Sequence, residues 1–220
     1  RAHDAVVQMS EFARDNYRLA VELIWKFDAK KLERLNETEV ALDKLEGLLD
    51  NYLVKLTDRA LTAEESTRVS ELLHTLSDFE RIGDYAVNVS ESAVVLHDRN
   101  ITFSPQARAE LERLTAAVGE TLDKTVACYQ SRQRTLAVQV EPLEETIDLM
   151  IDTLRERHIL RLKNGVCAIE SGIIFLEILT NLERISDHCS NIAARIVGKE
   201  SEDDHFDAHE FRRNMHDGYV

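Results

Sequence analysis

Apolar residues recur every three or four positions along most of this chain, with polar residues filling the places between. From about residue 2 to 27 the repeating positions include Val6, Met9, Ala13, Leu19 and Leu23. From about 32 to 56 the stripe is Leu42, Leu45, Leu49 and Leu53, and Thr57-Asp58 closes it. This is the period of an amphipathic helix. Local punctuation marks the rest. Thr62-Ala63-Glu64-Glu65 is a capping box that opens a third helix running to about 96. His97 to Phe103 reads as a connector. Ser104-Pro105 joins an N-cap to a proline at the first helical position and opens a fourth helix, to about 133. Pro142 lies near the start of a fifth, which ends at Lys163-Asn164-Gly165. The sixth runs from about 169 to 197 and stops at Gly198. Lys199-Glu200-Ser201-Glu202-Asp203-Asp204 then begins a charged tail.

Composition narrows the fold class. The 220 residues include only two prolines and seven glycines, too few for the many turns of a sandwich, barrel or doubly wound sheet. The expected fold is all-α, built from six long helices.

The break near residue 100 leaves two halves of equal size, and they repeat. Shifted by 103, Leu76-Ser77-Asp78-Phe79-Glu80-Arg81-Ile82-Gly83-Asp84 lies over Leu179-Thr180-Asn181-Leu182-Glu183-Arg184-Ile185-Ser186-Asp187. Asn88 then falls on Asn191 and Val89 on Ile192, so the shared core is E-R-I-(G/S)-D-x-x-x-N. A weaker match at a shift of 105 sets Glu39 and Asp43 over Glu144 and Asp148. The chain therefore reads as two tandem three-helix bundles, 1–100 and 101–198, followed by a tail at 199–220.

The repeated acids carry the chemistry. Residues four apart share a helix face, so Glu80, Asp84 and Asn88 form one stripe, as do Glu183, Asp187 and Asn191. Each stripe borders apolar positions that should face the bundle interior. Burying neighbouring carboxylates costs several kcal/mol each unless something compensates. Cations would compensate, and oxygen ligands drawn from several helices suit magnesium, manganese, iron or zinc. Glu39, Asp43, Glu80 and Asp84 would make one metal site; Glu144, Asp148, Glu183 and Asp187 would make the other. Gly83 or Ser186, between the acids, would admit a close neighbouring helix or a metal-bound water. The competing reading pairs the acids with Arg81, Arg184 or Lys44 on a solvated face.

Charge bears on partners. With 41 acidic and 27 basic residues the formal net charge is −14, which disfavours nucleic acid and anionic lipid. The longest apolar run, Gly172 to Leu176, is far short of a membrane span, so no direct lipid insertion is expected. Cys128, Cys167 and Cys189 form no metal or redox motif and read as buried small side chains in a reducing compartment. Nothing matches a nucleophile elbow, a P-loop or a dinucleotide fingerprint, so an enzyme is not expected.

At Phe79 to Val89 and Leu182 to Ile192 the sequence resembles the PhoU family, whose mark is a tandem three-helix repeat with the motif L-E-R-I-G-D-x-x-x-N-I. The resemblance implies two three-helix units, with multinuclear iron, zinc or other metal clusters held by these acids in some members. It implies a role in phosphate homeostasis, restraining uptake and linking a transporter to a signalling kinase. Ser186 replaces the usual Gly of the motif, and Tyr85 stands where the first copy often has His. Residues 172–181 look like the cytoplasmic PhoU-like domain that follows the membrane region of bacterial sodium/phosphate cotransporter-type proteins. The expected function is thus a metal-binding, cytoplasmic regulatory domain of a phosphate transport system, attached to an inner-membrane transporter. The initial Arg1 agrees with a piece of a longer or processed chain. The expected partner is that transporter region, in the same chain or a separate one, with a homodimer as a further option. The alternatives are a stand-alone PhoU regulator and a metal-free helical adaptor.

Four minor features complete the reading. Glu71-Leu72-Leu73-His74 is a single E-x-x-H, where a di-iron site would need two. His188, directly after Asp187, points about 100° away from it and would reach a metal only from the rim. His205 and His209 fall in the tail. Arg155, Arg157, Arg161 and Lys163 form a basic patch whose default is a solvated face.

Overall fold

The computed structural model describes residues 2–57 and 60–198. The expected tail at 199–220, with His205 and His209, and the helix-ending Asp58 lie outside the described residues. Among the described residues six long helices form: α1 Ala2–Trp25, α2 Ala29–Thr57, α3 Ala63–Asp98, α4 Pro105–Ser131, α6 Val140–Lys163 and α7 Ile169–Gly198. Between α4 and α6 sits a single turn, α5 Arg134–Ala137. Among the described residues there is no strand.

The sequence signals act as read. Thr62 caps α3 with both arms of the capping box in place, and the Ser104 hydroxyl accepts from the Ala107 amide at the start of α4. Two helices end in Schellman motifs. After α3, Asn100 takes a left-handed conformation (φ 51°) and the Ile101 amide donates to the Leu96 carbonyl. After α6, Gly165 (φ 65°) does the same, with Val166 donating to Arg161. One boundary differs from the sequence expectation. The fourth helix stops at Ser131, two residues early, because Arg132 enters the left-handed region (φ 54°). The chain then makes α5 and begins α6 at Val140, which leaves Pro142 in the first turn, where its missing N–H is not needed.

Helices α1, α2 and α3 pack together, as do α4, α6 and α7; α3 against α7 and α1 against α4 join the two groups. One apolar core runs through both, from Met9, Phe79 and Ile82 to Leu111, Phe175 and Ile185. The motif isoleucines Ile82 and Ile185 are fully buried, each stabilising the bundle by about 1.5–3 kcal/mol. They fix the rotation of α3 and α7. The acids two residues either side then fall at the edge of the buried stripe, half-buried.

The α3–α7 seam pairs the two copies antiparallel. Buried Asp78 accepts from His188 Nδ1 at 2.7 Å and from Arg195, while Asn88 donates to Asn181 at 3.3 Å. Tyr85 and His188, which occupy matched positions in the repeat, stack on each other with ring centroids 5.8 Å apart. The motif asparagine of the first copy thus serves the seam, and His188 is anchored there by Asp78.

A second close approach joins α6 to α7. A Cβ on Gly172 would lie 2.6 Å from His158 Nε2. His158 is fully buried and stacked on Phe175, so it has nowhere to retreat. Gly172→Ala should therefore destabilise the fold by about 1–3 kcal/mol despite the higher helix propensity of Ala, measured by urea denaturation. Unchanged or increased stability would show that the imidazole has room to move.

Candidate functional site

Two helix pairs gather the predicted acids. α2 and α3 bring together Glu39, Asp43, Glu80 and Asp84, and α6 and α7 bring together Glu144, Asp148, Glu183 and Asp187. Gly83 makes the first approach possible. A Cβ there would meet Leu42 Cδ1 at 3.1 Å and Glu39 Oε2 at 3.5 Å, so α2 lies almost on the α3 backbone. In the second copy Ser186 takes this place, fully buried.

The first cluster has members that the motif did not reveal. Glu46 faces Asp43, Asp84 and Glu80. Its signal was legible, since Glu39, Asp43 and Glu46 are spaced i, i+4, i+7 on one face. Asn16 of α1 was not legible. Fully buried, it donates to Glu39 Oε2 at 3.1 Å from the third helix of the unit.

Crowding shows in the acidities. Burial first, then the charges of Asp43 and Asp84, pushes Glu39 up to about 7, against the pull of the Asn16 amide. Burial and then Asp84 push Glu80 up to about 7. Glu39 thus lies against Asp43, and Glu80 against Asp84, so each raised carboxyl faces a neighbouring acid. Arg81 offers weak relief: it lies 3.6 Å from Glu80 and 3.7 Å from Asp84, and it is largely in solvent.

In the second cluster Glu144, Asp148 and Asp187 present oxygens within 4.8 Å of one another. Burial, then Asp187 and Glu183, push Asp148 up to about 6, and burial raises Asp187 against the opposing Arg184. Glu183 is held differently. Arg155 forks its carboxylate, with contacts of 3.1 and 2.5 Å. The expected solvated-face pairing is therefore present in part: Arg184 meets Asp187 at 3.2 Å, and Arg81 stands beside the first cluster.

His74 is exposed on α3, apart from either cluster. The basic patch divides: Arg155 goes to Glu183, while Arg157 and Arg161 both reach Glu110 of α4, at 3.3 and 2.8 Å. Cys128 and Cys189 are buried as expected, but Cys167 is partly exposed, because it sits at the α6–α7 corner rather than on a buried face.

The PhoU domain matches residues 6–93 and 111–196. The chain belongs to the PhoU family. The two matches start at 6 and 111 and end at 93 and 196, so the offset passes from 105 to 103, the same pair of shifts that aligned the repeat. The chain is 25% identical over 193 residues to the phosphate-specific transport system accessory protein PhoU homolog of Xylella fastidiosa, covering 87% of this chain and 80% of that one. It is 22% identical over 199 residues to the Synechocystis homolog, covering 89% and 86%. Its fold is that of the PhoU crystal structure from Pseudomonas aeruginosa (TM-score 0.82, 22% identity, 89% of this chain and 93% of that). It also matches the phosphate transport system regulatory protein PhoU of Streptococcus pneumoniae (TM-score 0.77, 18% identity, 89% and 91%).

Without a metal ion, the PhoU acids make stability fall as pH rises. Glu39, Glu80 and Asp148 hold protons more tightly folded than unfolded. Their favourable contribution is complete below the ordinary carboxylate range and lost as pH rises through about 6 to 7. Metal-free protein should lose urea stability between about pH 5 and pH 8, and Glu80→Gln should flatten the loss. Stability that rises over that interval would contradict the crowding.

Proposed function

We propose that this chain is an accessory regulator of a phosphate transport system, with metal ions bound by the two acid clusters. The reading rests on one observation above the others: the family match covers both copies, and in each copy the motif acids converge with a matched pair from the preceding helix. Relatives that this chain spans over 80% and 86% of their length carry the name of phosphate-specific transport system accessory proteins. That supports a stand-alone PhoU regulator acting on a separate membrane transporter and a signalling kinase. The reading as the cytoplasmic domain of a sodium/phosphate cotransporter has only the likeness of residues 172–181 behind it.

The donor set fits hard cations. Among the described residues the clusters are built of carboxylates, which suits iron, manganese, magnesium or an oxygen-ligated zinc. Among the described residues no helix is long and apolar enough to cross a membrane. The reading places the chain in the cytoplasm, on the inner face of the transporter. When bound, the metal supplies charge neutralisation and a crosslink from α2 to α3 and from α6 to α7. The residues themselves set the rest: Ile82 and Ile185 hold the rotation of the acid faces, Gly83 sets their separation, and the α3–α7 seam ties one cluster's position to the other's.

Two measurements test this. Purified protein stripped and reloaded with iron, manganese or zinc should retain metal by elemental analysis, and the quadruple variant E80Q/D84N/E183Q/D187N should retain none. Cells lacking the chain should take up more phosphate in phosphate-rich medium, with the wild type restoring restraint and the quadruple variant failing to. Metal-free wild type under replete conditions overturns the metal reading. Unchanged uptake in the deletion overturns the regulatory one.

A further inference from the structure

We infer that Arg155 is a built-in cation for the second acid cluster, so that the two copies of the repeat make unequal demands on metal ions; this rests on the metal-binding reading above. The motif arginines Arg81 and Arg184 are common to both copies, standing beside Asp84 and Asp187 respectively. Arg155 is not. At the shift of 105 that aligns the second and fifth long helices, its partner position in the first copy is Asp50, an acid beside Glu46. One position thus carries opposite charge in the two copies, at the mouth of each cluster.

The consequence is geometric. Arg155 holds both oxygens of Glu183 in a planar fork and lies 3.7 Å from Asp152. Both Arg155 and Glu183 are only about a third exposed or less, so the bond is partly shielded from water and from screening. A metal at the second cluster finds three converging carboxylates, Glu144, Asp148 and Asp187. Glu183 reaches that metal with one lone pair on each oxygen already taken by Arg155, and the metal sits near a fixed positive charge. The first cluster gathers Glu39, Asp43, Glu46, Glu80 and Asp84, with Asp50 adding to the negative field. The first cluster therefore binds metal more tightly and takes more ligands from the protein. The second binds more weakly and is the one able to load and unload as metal supply changes.

Manganese-binding isotherms separate the two clusters. E183Q/D187N leaves the first cluster to report alone, and E80Q/D84N leaves the second. The first should bind Mn²⁺ more tightly. Adding R155Q to E80Q/D84N should tighten second-cluster binding by about tenfold or more, and adding D50R to E183Q/D187N should weaken the first by a similar factor. R155K, which keeps the charge, should leave second-cluster affinity near that of Arg155 and covers the case where R155Q does not fold. In chelator the R155Q protein should melt below wild type, and saturating Mn²⁺ should close the gap. Metal binding that R155Q leaves unchanged or weakens overturns the role of Arg155 while the metal reading stands. Absence of Mn²⁺ binding at both clusters of the wild type overturns the two together.

Discussion

Like charge held half out of water is the constraint on which this fold turns. Carboxylates from α2 and α3, and again from α6 and α7, meet across grooves narrow enough that Glu39, Glu80 and Asp148 no longer ionise in their ordinary range. Relief can come from a proton, a neighbouring arginine or a metal ion. Retained protons relieve Glu39 and Glu80, and an arginine forks Glu183. Both are partial. Those protons are given up near pH 7, and Arg155 forks one carboxylate of four. A cation between each helix pair would relieve the remainder and add a crosslink.

The rest of the bundle holds these groups in place. Buried Ile82 and Ile185 set the rotation of α3 and α7, and Gly83 leaves room for Leu42 and Glu39 of α2 where a larger side chain would crowd them. The α3–α7 seam, with Asp78 bonded to His188 and Arg195 and with Tyr85 stacked on His188, makes the two clusters parts of one rigid arrangement. A duplicated three-helix unit gains by this. Neither copy need bury its α3 or α7 face alone, and one core passes through both.

Much of the fold was legible in the sequence because long helices announce themselves locally. The capping box at Thr62, the Ser104-Pro105 start and the Gly165 stop each act within one turn. The one-turn α5 was not legible, since it depends on Arg132 turning left-handed, a conformation its side chain does not advertise. For the clusters, pairing acids by repeat and helix face grouped residues that the fold brings together, because a shared face is a local property. Asn16 and the fork from Arg155 to Glu183 are contacts between helices whose relative rotation no single-helix pattern contains. The basic patch shows the same limit: three arginines close in sequence, Arg155, Arg157 and Arg161, are divided between partners on α7 and α4.

The most direct test is crystallographic. Crystals grown with manganese and measured near its absorption edge should show anomalous density between α2 and α3, within reach of Glu39, Asp43, Glu80 and Asp84. A second, weaker peak should lie beside Glu144, Asp148 and Asp187, with Arg155 still on Glu183. A map with no peak in either groove, and carboxylates bonded only to arginine and water, would contradict the account.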